Sequence, residues 1–572
     1  MPLPKYNGPQ TRLPKSVVIR LAVVAGIAMA ATPEARAQRV TGPWEDGSIV
    51  PRGVLRVGIS PRFGQWKERL NASGEREALG TPLSPDSFGA GLPFVAGLGP
   101  ALSTLTGLPA PPLSLGSLRT HVDVTETRTD IALDYGLNSR IGLQVLIPYV
   151  KNRVHVRAIA NEGGLGATLG FNPARSFAGA RQQNDLVVTT LGTAASTLTS
   201  ELARCAGLQD PSCTAINADR AGATALVQLA DQISGSIASV YGTATVPGGL
   251  YAPVAGGTLQ SAVDARLTSL NSQFRAFLGA PTSGEWISER PVAAVPVAAA
   301  DLDELLGSEE AGIMARPLGD YEHSHVGDIE VGAKFLLLDT FGPIVTSPLP
   351  RPGALRLAVA GVYRLGTGQL DLPHDFTDVG TGDRQADLEL RGYGDVAIGP
   401  RLWVSSVLRL GIQRPDRLVR RIPATNDVFA EAAREQEVRR DLGDVMEFEL
   451  APRWVPNDEF AVSALYRYRN KGADAYDGTF QATSADGTPL TLDASVLGAG
   501  TAQKEHLIGF SVTYSTARAY GRGSAKWPLD ISYFHTQVSG GSGIPRMQTN
   551  GIGLRLYRPV RGNVLRPAGS GR

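Results

Sequence analysis

The sequence predicts an all-β fold: a transmembrane antiparallel up-and-down β-barrel of about 12 strands with a largely helical insertion in one long extracellular loop. Three observations predict it. The chain opens with an export leader, short segments of alternating polarity recur along it, and long and short connections take turns between those segments.

In the leader, Lys5, Arg12, Lys15 and Arg20 precede the apolar run Leu21 to Ala31, and Ala35-Arg36-Ala37 follows with small residues at alternate positions. This order predicts a cleavable signal peptide over 1–37, cut near Ala37, with Gln38 as the mature start. The plainer reading is a soluble tail that happens to be apolar. Beyond it, the 572 residues hold no apolar run long enough for a membrane helix. A barrel strand needs only about ten residues of alternating polarity, so a barrel escapes that measure. The 55 basic side chains nearly balance 54 acidic ones, which argues against a nucleic-acid partner.

A strand points successive side chains to opposite faces, so one apolar row and one polar row mark it. Residues 38–157 predict about three strands and one long loop. Leu55 to Phe63 is faint. Thr127, Thr129, Ile131, Leu133 and Tyr135 oppose Arg128, Asp130, Ala132 and Asp134; Ile141, Leu143, Val145, Ile147 and Tyr149 oppose Gly142, Gln144, Leu146 and Pro148. After Pro148 the phase is ambiguous, and the basic row Lys151, Arg153, His155, Arg157 either rises above the membrane or follows a bulge.

Residues 325–560 predict about nine more strands. Their polar rows carry Glu330 and Lys334, then Arg356 and Arg364, then Glu389, Arg391, Tyr393 and Asp395, then Ser405 and Arg409, then Glu447, Glu449 and Arg453, then Ser463, Arg467 and Arg469. Fainter strands are expected at Ile508 to Tyr514, Leu529 to Tyr533 and Ile552 to Leu556. A polar tail, 561–572, follows, with Tyr557 as the terminal aromatic residue that barrel assembly machinery would read. The long connections are 71–117, 158–324, 368–385, 415–438, 473–503 and 539–546, and the intervening ones are mostly short. A soluble sandwich has no need of that rhythm, whereas an outer-membrane barrel has long outer loops and short periplasmic turns.

The connection 158–324 is too long for an ordinary loop and changes period. Leu226, Leu229, Ile233, Ile237 and Val240 form one helical stripe, Val263, Leu267, Leu270, Phe274, Phe277 and Leu278 a second, and a third helix is expected over Asp185–Leu202. The plain account is a small helical subdomain packed on itself; the sharper one is a cap or plug over the lumen. Cys205 and Cys213 close a small loop containing Gly and Pro, which in an oxidising compartment predicts a disulfide.

No catalytic, cofactor or metal site is expected. His323 and His325, beside Asp320 and Asp328, could share one side of a strand, yet they leave a zinc ligand set incomplete and read as loop polarity. His535, with Thr536 and Ser539 near it, raises the question of a lipid hydrolase in the wall, but no positioned base and nucleophile emerge. The glycine-rich pieces at 163–166 and 366–368 lack the strand–loop–helix setting of a phosphate loop.

The charged residues predicted to face the lumen are Arg356, Arg364, Glu389, Arg391, Asp395, Arg409, Glu447, Glu449, Arg453, Arg467 and Arg469. Neighbouring strands stand about 5 Å apart, so opposite signs can pair across the ladder. They form either a structural salt-bridge network or a filter that selects solutes by size and charge.

Two phrases, LDYGLNSRIGLQVLIPY from Leu133 to Tyr149 and VGDIEVGAKFLL from Val326 to Leu337, resemble hairpin and strand phrases of the outer-membrane proteins of the meta-pathway of phenol degradation. That family is distantly similar to fatty-acid and aromatic-hydrocarbon outer-membrane channels. The resemblance covers the strands from Leu133 onward and departs at the helical insert; no transport residue carries over. It implies a bacterial outer-membrane channel or transporter for small molecules, hydrophobic or aromatic ones among them; the want of a catalytic constellation in the residues makes an enzyme the lesser expectation. Expected partners are outer-membrane lipids, a small-molecule solute and the barrel assembly machinery. The competing reading is a structural or surface-interaction barrel with a closed lumen. The oligomeric state stays open.

Overall fold

The alternating segments become 12 barrel strands in a computed structural model that describes residues 42–162, 166–279, 296–341, 349–424, 427–521 and 523–560. They are β1 (Val54–Trp66), β2 (Leu118–Gly136), β3 (Ile141–Ala160), β4 (Ile329–Asp339), β5 (Leu355–Leu365), β6 (Asp387–Gly399), β7 (Leu402–Gln413), β8 (Val445–Trp454), β9 (Phe460–Lys471), β10 (Gln503–Ser515), β11 (Leu529–Ser542) and β12 (Gln548–Pro559). Each pairs antiparallel with its chain neighbours, and β1 closes on β12 from Val54↔Pro559 to Gln65↔Gln548. Among the described residues the ladder closes on itself and leaves no edge strand within the apolar belt, as hydrocarbon surroundings demand. The predicted signal peptide and the polar tail 561–572 lie outside the described residues.

The predicted apolar rows face outward. Leu388, Leu390, Val396 and Ile398 on β6, Leu408, Leu410 and Ile412 on β7, and Phe448, Leu450 and Trp454 on β8 are all exposed. Their alternates, such as Ala358, Ala360, Arg391 and Asp395, are buried inside. Tyr557 also faces inward, where its hydroxyl donates to Asp530.

β2 and β3 are 19 and 20 residues long and rise above the other strands. They pair from Leu118↔Ala160 to Gly136↔Gly142 without a register break, which resolves the ambiguity after Pro148. Lys151, Arg153, His155 and Arg157 continue the outward row above the apolar belt, and no bulge intervenes. β4 pairs β3 only over Ile141–Leu146, so the upper part of β3 needs another partner. A short strand, Tyr321–Val326, supplies it. This corrects the reading of His323 and His325 as loop residues: their rings lie stacked 6.5 Å apart on that strand, because the tall edge of β3 would otherwise be bare.

The first outer loop carries a helix the sequence reading lacks, α1 (Gly99–Thr106). The long insert supplies α2 (Ala178–Arg204), α3 (Arg220–Tyr241), α4 (Thr258–Leu278) and α5 (Ala299–Gly307). Asp219 caps α3 by accepting from the Gly222 N–H. The stripes Leu226, Ile233, Ile237, Val240 and Val263, Leu267, Leu270, Phe274 are buried against each other, and Cys205 and Cys213 are bonded at the end of α2.

This helical core continues onto Val124, Val154 and Val156, on the inner face of the tall β2–β3 hairpin, and onto Phe376 and Phe429 from two other outer loops. Arg421 donates to the carbonyls of Ile313, Met314 and Ala430, and Glu431 accepts from Ser484 and the Ala485 N–H. Arg421 thereby ties the insert to the 415–438 loop, and Glu431 ties that loop to the 473–503 loop. An arginine placed halfway along the outward face of β7, Leu408→Arg, should cost about 2–4 kcal/mol in denaturant unfolding from lipid vesicles, with midpoint and slope read together.

Candidate functional site

The inward rows meet in a cavity of about 490 Å³ lined by residues of many strands and by a segment the sequence reading did not place. That segment is Gly42–Val50. It enters the lumen from the periplasmic end, and the chain turns into β1 at Gly53, whose φ of 74° favours glycine. The Gly53 N–H donates to the Gly136 carbonyl at the foot of β2.

Glu45 stands between the guanidinium groups of Arg391 (3.0 Å) and Arg409 (3.6 Å) and accepts from the Tyr393 hydroxyl at 2.7 Å. Asp46 pairs with Arg453 at 3.0 Å, and the Lys334 ammonium donates to the Asp46 carbonyl while lying 3.7 Å over the Tyr393 ring. The Gly47 N–H donates to Asp395 at 3.0 Å. A Cβ on Gly47 would stand 3.1 Å from Asp395 Oδ2 and 3.2 Å from the Arg356 stem, so a side chain there would require those two wall side chains to give by a few tenths of an ångström. Trp44 meets Phe534 edge-on at 5.5 Å.

The wall charges pair across the ladder. Arg391 bonds Glu389 and Glu330 (2.8 Å), Arg364 bonds Glu330 and Asp387 (3.2 Å each), and Arg409 bonds Glu447 and Glu449 (3.1 Å). Arg467 reaches Glu505 at 2.9 Å, and Arg356 bridges Asp339 and Asp395 at 3.1 Å each. Arg469 stands opposite Glu447 on one side and Glu505 on the other. All eleven charged residues singled out in the sequence therefore lie on the inward rows. On the opposite wall, Arg56 pairs with Asp134 and Arg62 with Asp130.

Burial would raise the Glu45 and Asp46 carboxyls. The surrounding cations outweigh it, Arg391, Arg409 and Lys334 for Glu45 and Arg453, Lys334 and Arg356 for Asp46, and hold both well below the usual carboxylate range. Glu45 nevertheless keeps 38% of its side chain open to the cavity, so wall atoms crowd it without sealing it.

The other candidates do not converge on chemistry. His535 and Tyr533 face outward and share the Asn550 amide oxygen, at 3.0 and 2.9 Å. Thr536 points into the lumen instead, and Ser539 donates to the His506 carbonyl. Among the described residues no group of three His, Cys, Asp or Glu side chains is placed to hold a metal. His155 pairs with Asp320 on the outer face.

Closure of the ladder, an apolar outer belt and a charged interior define a transmembrane β-barrel whose lumen is occupied from below and covered from above. No family model matches the chain, and no curated protein matches it in sequence. Among solved structures it is similar to an outer membrane channel from Pseudomonas putida F1, at 7% identity and a TM-score of 0.39, covering 91% of this chain and 100% of that one. It is similar also to the translocator domain of autotransporter NalP from Neisseria meningitidis (6%, TM-score 0.29, 95% and 94% covered) and to the Pseudomonas putida toluene transporter TodX (9%, TM-score 0.22, 90% and 90% covered). The class rests on the closed ladder of the chain itself.

Because Glu45 and Asp46 titrate lower when docked than in a free chain, their contribution is complete above the ordinary carboxylate value of about 4 and is lost only as pH falls through their lowered values. The segment should stay protected in hydrogen exchange from neutral pH down to about 4 and open in stronger acid. Arg409→Met leaves Glu45, Glu447 and Glu449 facing one another and should cost about 3–5 kcal/mol of unfolding free energy.

Proposed function

We propose that this chain is an outer-membrane channel or transporter for small molecules, hydrophobic or aromatic ones among them, and not an enzyme. The observation that carries the reading is the cavity of about 490 Å³ inside a closed barrel, lined by paired charges rather than filled by an apolar core. A wall that serves only to hold a shape has no use for a polar, water-accessible interior, since ionised groups placed there must each find a partner. The barrel is the conduit, the inward arginines and carboxylates the filter, and the helical insert together with the N-terminal segment the two closures.

The second reading, a structural barrel with a closed lumen, draws on those same two closures. Planar-bilayer recording separates them. The full chain should give discrete but infrequent current steps. A variant lacking 181–279 and carrying Glu45→Gln and Asp46→Asn should stay open. Silence from both, in protein that still shifts its gel mobility on heating, would sink the channel and leave the closed barrel standing.

A further inference from the structure

The N-terminal segment offers the lumen wall what a solute could offer. Glu45 lies between Arg391 and Arg409, and Asp46 meets Arg453 and, through its carbonyl, Lys334. For Arg453, Asp46 is the one ion-pair partner among the described residues. Beside the two carboxylates, the Trp44 indole sits on Phe534 within an apolar patch that includes Leu465 and Met547. An aromatic group and a carboxylate therefore enter the cradle side by side.

Further donors stand beside the segment at Gly42, behind the residues that line the cavity. Arg453 is 1% exposed, and its Nε and Nη2 have no hydrogen-bond partner among the described residues. Both lie 3.5 Å from where a Cβ on Gly42 would stand, and the buried, equally unpartnered Ser463 hydroxyl lies 3.2 Å from that point. A planar guanidinium edge with a hydroxyl beside it matches a carboxylate.

We propose that this cradle binds an aromatic carboxylate, and that Trp44-Glu45-Asp46 fills it as an internal stand-in which the solute displaces. The proposal rests on the channel reading and gives that channel its substrate class. An uncharged aromatic molecule cannot exchange for the segment, because it would leave the buried Arg453 without its Asp46 counter-charge in a confined lumen, whereas Arg391 and Arg409 keep the wall carboxylates Glu330, Glu389, Glu447 and Glu449.

The test uses the full wild-type chain in detergent, with sodium benzoate as probe and benzyl alcohol as the uncharged control. Millimolar benzoate should speed hydrogen exchange across 42–53 by roughly tenfold, since exchange there reports release of the segment, and benzyl alcohol should not. In equilibrium dialysis, radiolabelled benzoate should bind the Glu45→Gln/Asp46→Asn variant roughly tenfold more tightly than wild type, because the competitor is weakened. Adding Arg409→Gln should abolish the gain. Exchange that is unchanged by benzoate, or that rises equally with benzyl alcohol, overturns the proposal, and the wild-type result decides alone if the variant does not fold. Neither readout needs current, so a silent bilayer with benzoate-dependent exchange removes the channel and keeps the site. Current without such exchange does the reverse.

Discussion

Hydrocarbon offers a backbone no hydrogen bonds, and most of this structure follows from that constraint. Every strand that crosses must pair on both sides, so the ladder closes at β1 and β12. Once closed, the barrel has only two kinds of side-chain position. The outward one must be apolar, as Leu390, Leu408 and Phe448 are. The inward one takes what remains, and in this chain that is largely charge. Charges in a confined interior must be matched, which turns the inner wall into a network in which Arg391 alone serves Glu45, Glu330 and Glu389.

The barrel was legible because its rule is local. Alternation between Leu388 or Leu390 and Glu389 or Arg391 states which side of the wall each residue takes, and nothing distant is needed. The helical stripes of α3 and α4 were legible for the same reason, with a different period. What escaped the sequence was set by contacts far along the chain. Gly47 meets Asp395 across 348 residues, and no periodicity in Trp44-Glu45-Asp46-Gly47 announces a place inside the lumen. The one available clue was two acids and an indole shortly after the predicted signal peptide, in a chain whose later strands carry many inward arginines. Tyr321–Val326 escaped similarly: it is a strand because β3 outgrows β4, a mismatch visible only once the register is known.

The tall hairpin also explains where the insert sits. Above the apolar belt the outward face of β3 turns basic, while the inward face keeps Val150, Val154 and Val156. An apolar face standing free in water would be costly, and the helices cover it. They are on the lumen side because that is the side with the apolar row. Position over the mouth is therefore a consequence of strand parity continued past the membrane, with Arg421 and the Ala432 N–H holding the far side through the carbonyls of Ile313, Met314 and Gly312.

The two closures differ in kind. The upper one is an apolar core of buried helices, continuous across three loops, and loosening it exposes surface to water. The lower one is held chiefly by ion pairs and hydrogen bonds around Glu45, Asp46 and Gly47, with one indole added. Ion pairs of this sort are nearly balanced by the cost of desolvating them, so their loss is tolerable when another anion takes the place of Glu45 and Asp46, and severe when nothing does. A closure built that way is indifferent to water and neutral solutes and responsive to charge. The physical chemistry of the segment thus makes the periplasmic end the one at which the content of the lumen can decide whether the barrel stays shut.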